Sequence, residues 1–258
     1  MENVKRGKQM NVINIRNTSI GTGIPKICVP VTATTFEEIL IQTRSAVEQS
    51  PDLLEWRADF YEYVFDLDKV KKTAENMRQI LGEIPLIFTI RTTNEGGMCK
   101  ITPDEYCKLL MGISHLVEID LIDVELFMDA SMKDLIKKLK KAGKIVIASN
   151  HHFHKTPETE VMVQILSDME LAGADIRKLA VMPSCPEDVL ALLSATVSAN
   201  HTGKQPVITM SMSGLGAISR VAGQIFGSCV TFGTVGSASA PGQLELSDLK
   251  RFLLKLQP

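Results

Sequence analysis

Aromatic residues are scarce, at 5% of the chain with one tryptophan and three tyrosines, so the core must be packed by aliphatic side chains and the twelve methionines. Cysteine is scarce too: Cys28, Cys99, Cys107, Cys185 and Cys229 are odd in number and scattered, and no two are separated by just two residues. That pattern excludes a disulfide framework and a zinc cluster and implies reduced thiols. Charge of one sign is also missing, since 28 basic and 30 acidic residues leave a formal charge of −2. Nucleic acid and anionic membrane surfaces are therefore not expected as partners. No window approaches the roughly 18 uninterrupted apolar residues that a membrane span needs. The first twenty residues mix Lys5, Arg6, Lys8 and Arg16 with Asn11, Asn14 and Asn17. They lack the apolar run of a signal peptide, so a cytoplasmic location is expected. No Pro/Ser-rich linker or low-complexity tract interrupts the chain, which predicts one domain over 1–258.

What the chain does have is alternation. Short apolar, β-branched runs recur at Lys26–Val31, Leu53–Arg57, Leu86–Arg91, Leu116–Val124, Lys144–Ser149, Lys178–Met182, Val207–Ser211 and Cys229–Phe232. Between them, Phe36–Glu48, Asp104–Ile113, Met132–Ala142 and Glu158–Ala172 repeat their apolar residues at three and four positions, as amphipathic helices do. Thr102-Pro103 and Thr156-Pro157 read as helix starts, and Gly143 and Gly173 as helix stops. Eight strand-then-helix units, with runs too uniformly apolar for a half-exposed sheet, predict an α/β fold: parallel strands closed into a (β/α)8 TIM barrel. An open doubly wound sheet is the alternative. Asn11–Ile15 lies outside the eight units and is expected to form a small N-terminal strand covering the bottom of the barrel.

In such a barrel the reacting groups sit where strands end, so polar residues at the C-terminal ends of apolar runs are the candidates. They are Glu55, Arg57 and Asp59, then Arg91 and Glu95, Asp123 and Glu125, His151, Lys178 and Arg220. Lys178 shares a strand face with Ala180 and Met182 by period-two alternation, and that face belongs in the barrel interior. Burial disfavours the charged form of a lysine, and a neutral amine is what attack on a ketone requires. The plain alternative is a lysine at a strand start with its head in solvent. His151 is placed at the barrel mouth, where an ordinary pKa of about 6.5 suits proton transfer in both directions. A capping histidine, or a metal cluster with His152 and His154, is the competing reading. Arg57, Arg91 and Arg220 offer planar forks that match a carboxylate, which suggests an acid substrate. Equally, the arginines and carboxylates could form a buried ion-pair network. The small-residue loop Gly233–Gln243, with Ser239 and Gln243 as its polar contacts, fits a phosphate site, a lid or a plain mobile loop.

These residues resemble a known family. Leu54-Glu-Trp-Arg-Ala-Asp59, Phe88-Thr-Ile-Arg-Thr92 with Glu95-Gly-Gly97, and Ile122-Asp-Val-Glu125 are similar, in order and spacing, to the type I 3-dehydroquinate dehydratases of the shikimate pathway. So are Lys178-Leu-Ala-Val-Met-Pro183, Thr209-Met-Ser-Met-Ser213 with Ile218-Ser-Arg220, and Ser239-Ala-Pro-Gly-Gln243. The resemblance implies a homodimeric barrel without metal or coenzyme that dehydrates 3-dehydroquinate. In it Lys178 matches the imine-forming lysine, His151 the proton-transferring histidine, and Arg220 the carboxylate clamp. Glu55, Arg57, Arg91, Ser239 and Gln243 match residues that hold the substrate's hydroxyls and ring. Met210 matches an apolar wall, and Glu95 a carboxylate near the histidine. Two departures stand out: Asn150-His151-His152 replaces a frequent Tyr-His-Asp, and Pro30 stands where many relatives carry serine. Rival readings are a class I aldolase, which shares the Lys178 argument, and a non-catalytic barrel that binds a metabolite or a partner protein.

Overall fold

The structure is a computed structural model that describes residues 10–236 and 240–256. A hairpin opens the chain, with β1 (Ile13–Ile15) antiparallel to β2 (Thr18–Ile20). Then β3 (Lys26–Val31), α1 (Phe36–Glu48), β4 (Leu53–Arg57), α2 (Leu67–Leu81), β5 (Leu86–Thr89), α3 (Pro103–Ile113), β6 (Leu121–Glu125) and α4 (Met132–Lys141) follow. The second half runs β7 (Ile145–His152), α5 (Thr159–Leu171), β8 (Ile176–Val181), α6 (Pro186–Thr202), β9 (Val207–Ser211), two short helices α7 (Ile218–Val221) and α8 (Gly223–Phe226), and β10 (Val230–Thr234). A two-residue β11 (Leu244–Glu245) on the end of β10 leads into α9 (Leu246–Lys255).

Each strand from β3 to β9 pairs in parallel with the next, and β10 returns to pair with β3. The circle closes between β9 and β10 by a narrower seam. Val207 and Ser228 form one parallel bridge, the Cys229 N–H donates to the Val207 carbonyl at 2.8 Å, and the Ser228 hydroxyl accepts the Thr209 N–H at 3.0 Å. The predicted (β/α)8 barrel is therefore present, and the open doubly wound sheet is not.

Period-two alternation sorts the strands as expected. On β8, Leu179 and Val181 pack outward with the helices, whereas Ala180 packs inward with Cys28, Ile87, Ile147 and Ile208. Helix starts follow the sequence only in part. Thr102 caps α3 through a reciprocal box with Glu105, ahead of Pro103. Thr156-Pro157 does not open α5, which begins at Thr159; the Thr156 hydroxyl instead donates to the Met182 carbonyl at 3.0 Å and ties the loop to β8. Gly143 and Gly173 do take the left-handed conformation, at φ 84° and 90°. Strand bounds shift as well. The run from Leu116 becomes a strand only at Leu121, because residues 116–120 complete the turn out of α3 and the Asp120 carboxylate is occupied by Arg78, Arg16 and the Leu86 N–H. No helix among the described residues is long and apolar enough to cross a membrane.

The N-terminal hairpin covers the bottom, as expected. Ile15 and Ile20 join Leu53, Leu121 and Ile176, the first residues of three barrel strands, in one apolar cluster. Arg16 turns the hairpin at φ 47°, and its side chain is tied to Asp120 at 2.6 Å. Ile20 is fully buried. Ile20→Ala should therefore cost about 2–5 kcal/mol, read as a lower urea midpoint with an unchanged slope. A midpoint shift near zero would mean that the hairpin is not part of the barrel's cooperative core.

Candidate active site

Lys178 is the third residue of β8, not its first, and only 4% of it is exposed. This position excludes a head in solvent. Its Nζ lies 3.3 Å from Glu55 Oε1 and 3.2 Å from Asp123 Oδ2, and 4.6 Å over the Phe232 ring centroid. The expected apolar setting holds in part: Phe232, Met210 and Met212 line the cavity with Lys178, but two carboxylates also reach its amine. Strand register places these groups together. Ser149 pairs with Lys178 and His151 with Ala180, so the histidine stands one pleat above the lysine on the same inner face.

Arg91, just beyond β5, is the hub of the acidic side. It donates to Asp123 at 2.8 Å, to Glu125 and the Ser149 hydroxyl at 3.0 Å each, and more loosely to Glu95 at 3.5 Å. The ion-pair network anticipated from the sequence thus exists, and Arg91 and Asp123 belong to it. Both groups hold their charge: the carboxylates push Arg91 well above its usual range despite burial, and Arg91, Lys178 and Ser149 pull Asp123 down. Two glycines shape this corner. A side chain on Gly97 would lie 2.0 Å from the Arg91 carbonyl, and one on Gly96 would meet the Phe153 ring at 2.4 Å.

Glu95, Arg57, Arg91, His151, Met210, Arg220 and Gln243 line the same cavity as Lys178 and Glu55. Ser239 lies outside the described residues. Arg57 is held by Asp59 through two parallel hydrogen bonds at 2.8 and 2.9 Å. Arg220 is different: it is 1% exposed, its Nη2 donates to the Pro241 carbonyl at 3.0 Å, and its Nε and Nη1 have no partner among the described residues. Burial alone pulls it down to about 10, with no carboxylate to offset the cost. Donors left open on a buried guanidinium that lines a cavity suit it to hold a ligand carboxylate. Pro241 also accepts the Ser213 N–H at 3.2 Å, so the 240–243 segment is fastened over the mouth. Gly242 (φ 75°) permits that approach, since any Cβ there would lie 2.1 Å from the Ser213 carbonyl.

Residues 27–257 match the family model of type I 3-dehydroquinase. The chain belongs to the type I 3-dehydroquinase family. A 3-dehydroquinate dehydratase of Clostridium botulinum is 46% identical over 246 residues, covering 94% of this chain and 96% of that protein. The crystal structure of 3-dehydroquinate dehydratase from Geobacillus kaustophilus superposes with a TM-score of 0.94 at 40% identity, covering 98% of each chain. A type I 3-dehydroquinate dehydratase from Clostridium difficile, with covalently modified comenic acid, superposes at 0.93 and 42% identity over 96% of this chain and 98% of that one. The aldolase and non-catalytic readings give way to this membership.

In this 3-dehydroquinase-family site His151 and Glu95 form a pair. His151 Nδ1 meets Glu95 Oε2 at 2.8 Å, and Asn150 Nδ2 donates to Glu95 Oε1 at 2.9 Å. Burial, then Arg91, Lys178 and Arg57, push His151 well below its ordinary 6.5. Burial raises Glu95 from 4.5 to about 8 against the pull of Arg91 and Asn150. Such a pair titrates as one unit. His152 makes no such contact, and its buried Nε2 has no partner among the described residues. No group of three His, Cys, Asp or Glu among the described residues could hold a metal ion.

Sequence reasoning gave Asp123 and Glu125 a place only in a possible ion-pair network, and passed over Ser149, Asn150, Phe153 and Phe232. Parity could have found Ser149, which shares the inner face with His151. It could not have found Asn150, which has the opposite parity.

Because folded Glu95 binds its proton more tightly than the unfolded chain does, stability should fall as pH rises from about 4.5 to about 8. His151 works oppositely, and its contribution is complete by its ordinary 6.5. Between these limits, pH 6.5 to 8, the urea midpoint of the protein should decline, and Glu95→Gln should flatten that decline. Equal slopes in the two proteins would contradict the raised Glu95.

Proposed function

We propose that this chain dehydrates 3-dehydroquinate to 3-dehydroshikimate through an imine on Lys178, with His151 as the general base and then the general acid. The observation that carries the reading is the convergence, in one cavity, of a buried lysine, a histidine paired with a carboxylate and a buried arginine with two nitrogens unpartnered among the described residues. From the resemblance come a shikimate-pathway role in aromatic biosynthesis, a cytoplasmic location, one domain over 1–258 and assembly as a homodimer.

The steps follow from the chemistry. Lys178 loses a proton, with Glu55 and Asp123 as the acceptors in reach. The free amine condenses with the C3 ketone and releases water. The protonated imine draws electrons from the adjacent C2–H bond, and His151 Nε2 takes that proton to give an enamine. The enamine expels the C1 hydroxyl, which leaves as water with the proton returned by His151. Hydrolysis of the imine then frees the product and the amine. Arg220 clamps the C1 carboxylate, so that both the C2 hydrogen and the leaving oxygen face one imidazole. Glu55, Arg57, Arg91, Ser239 and Gln243 hold the ring and its hydroxyls, and Met210 forms an apolar wall.

Mass spectrometry after mixing the protein with 3-dehydroquinate and borohydride should find a substrate- or product-sized adduct on Lys178. Dehydration without an adduct would sink the lysine's role. His151→Ala should lower kcat by about 10²- to 10⁴-fold while leaving the adduct trappable, and full turnover would refute the assignment. Arg220→Met should raise KM roughly 10- to 100-fold, the worth of a lost charged hydrogen-bond pair. An unchanged KM would place the carboxylate elsewhere.

A further inference from the structure

Asn150 and His151 are consecutive residues of β7, so their side chains leave the strand on opposite sides, yet both end on Glu95. The amide holds one carboxylate oxygen at 2.9 Å and the imidazole meets the other at 2.8 Å. Glu95 needs such a hold. It closes the one-turn helix Thr93–Glu95 and is followed by Gly96 and Gly97, and Arg91 reaches it at only 3.5 Å while making shorter bonds to Asp123 and Glu125. Its backbone is tied by the Glu95 N–H to the Thr92 carbonyl at 3.1 Å, but its carboxylate takes its two close hydrogen bonds from β7, a barrel strand paired on both sides.

We propose that Asn150 is a positioning residue for proton transfer: it pins Glu95 so that Oε2 stays on His151 Nδ1 and leaves Nε2 turned toward the substrate. The inference rests on the proposed function. With Oε2 accepting, Nδ1 carries the hydrogen and Nε2 keeps the lone pair that takes the C2 proton. Free of that pin, the carboxylate can rotate away, and the imidazole can settle with its hydrogen on Nε2, where it cannot act as base. The charged setting acts in the same direction. His151 faces Arg91, Lys178, Arg57 and His152, and Glu95 faces Arg91, Glu125 and Asp123. Asn150 adds a neutral donor that favours the ionised carboxylate, so its removal makes the pair hold a proton more tightly.

The test is the pH profile of kcat, with the ¹⁵N spectrum of the imidazoles as a readout independent of turnover. Asn150→Ala should lower kcat by about 10-fold or more, leave KM near the wild-type value, and move the acid limb of kcat to higher pH. Asn150→Ser, which keeps a donor, should recover part of both changes. Asn150→Asp, which sets a second carboxylate against Glu95, should move the limb further still. In the free protein above about pH 8, where Glu95 is ionised, His151 should be the Nδ1–H form in the wild type and a mixture in Asn150→Ala. An acid limb or a tautomer that Asn150→Ala leaves unchanged would overturn the proposal, whatever the fall in kcat. Should that variant not fold, the Ser and Asp variants decide on the same two readings. Borohydride trapping keeps the two ideas apart. A wild type without adduct or product removes the functional reading and this inference with it. An active wild type with an unmoved limb in the variants removes the role of Asn150 alone.

Discussion

One buried guanidinium organises this site. Arg91 binds Asp123 and Glu125 of β6, the Ser149 hydroxyl of β7 and, loosely, Glu95, and Asp123 in turn binds Lys178 of β8. Four neighbouring strands are thereby tied at one level of the barrel mouth. Desolvating so many charges is costly, and ion pairs of this kind add little net stability unless every partner is satisfied. Here nearly every partner is. The benefit is geometric: the lysine amine and the imidazole are held by groups that have only one favourable arrangement.

Arg220 stands outside that economy. It is as deeply buried as Arg91, but among the described residues its guanidinium has one hydrogen bond, to a carbonyl, and no carboxylate beside it. A protein selected only for stability would not leave two N–H groups there unsatisfied. The contrast between the two arginines separates one whose partners the barrel supplies from one that fits the proposed carboxylate clamp.

The barrel was legible because its signal is repetitive: apolar runs and amphipathic stretches alternate, and Thr102-Pro103, Gly143 and Gly173 punctuate them. Lys178 was legible because an ammonium on an otherwise apolar strand violates the pattern around it, and His151 because it follows an apolar run to the barrel mouth. The register between strands was not, since no local feature states that Ser149 lies level with Lys178. Hence the sequence listed Arg91, Asp123 and Glu125 without saying which would pair with which. Asn150 stayed hidden for a related reason, as period-two logic assigns it to the outer face, and only the bend of the chain after β5 brings Glu95 back over the strand end. Thr156 misled because a threonine before proline has two uses, helix capping and loop anchoring, and here the Met182 carbonyl took the hydroxyl.

The hairpin of β1 and β2 seals the lower end with Ile15 and Ile20. With the lower end stoppered, the cavity opens above, between Gly96, Phe153, Ala240 and Gln243 among the described residues. The Pro241 carbonyl, bonded to both Arg220 and Ser213, fastens the segment between Ala240 and Gln243 at that opening, so the rim of the cavity is held to one of its own lining arginines.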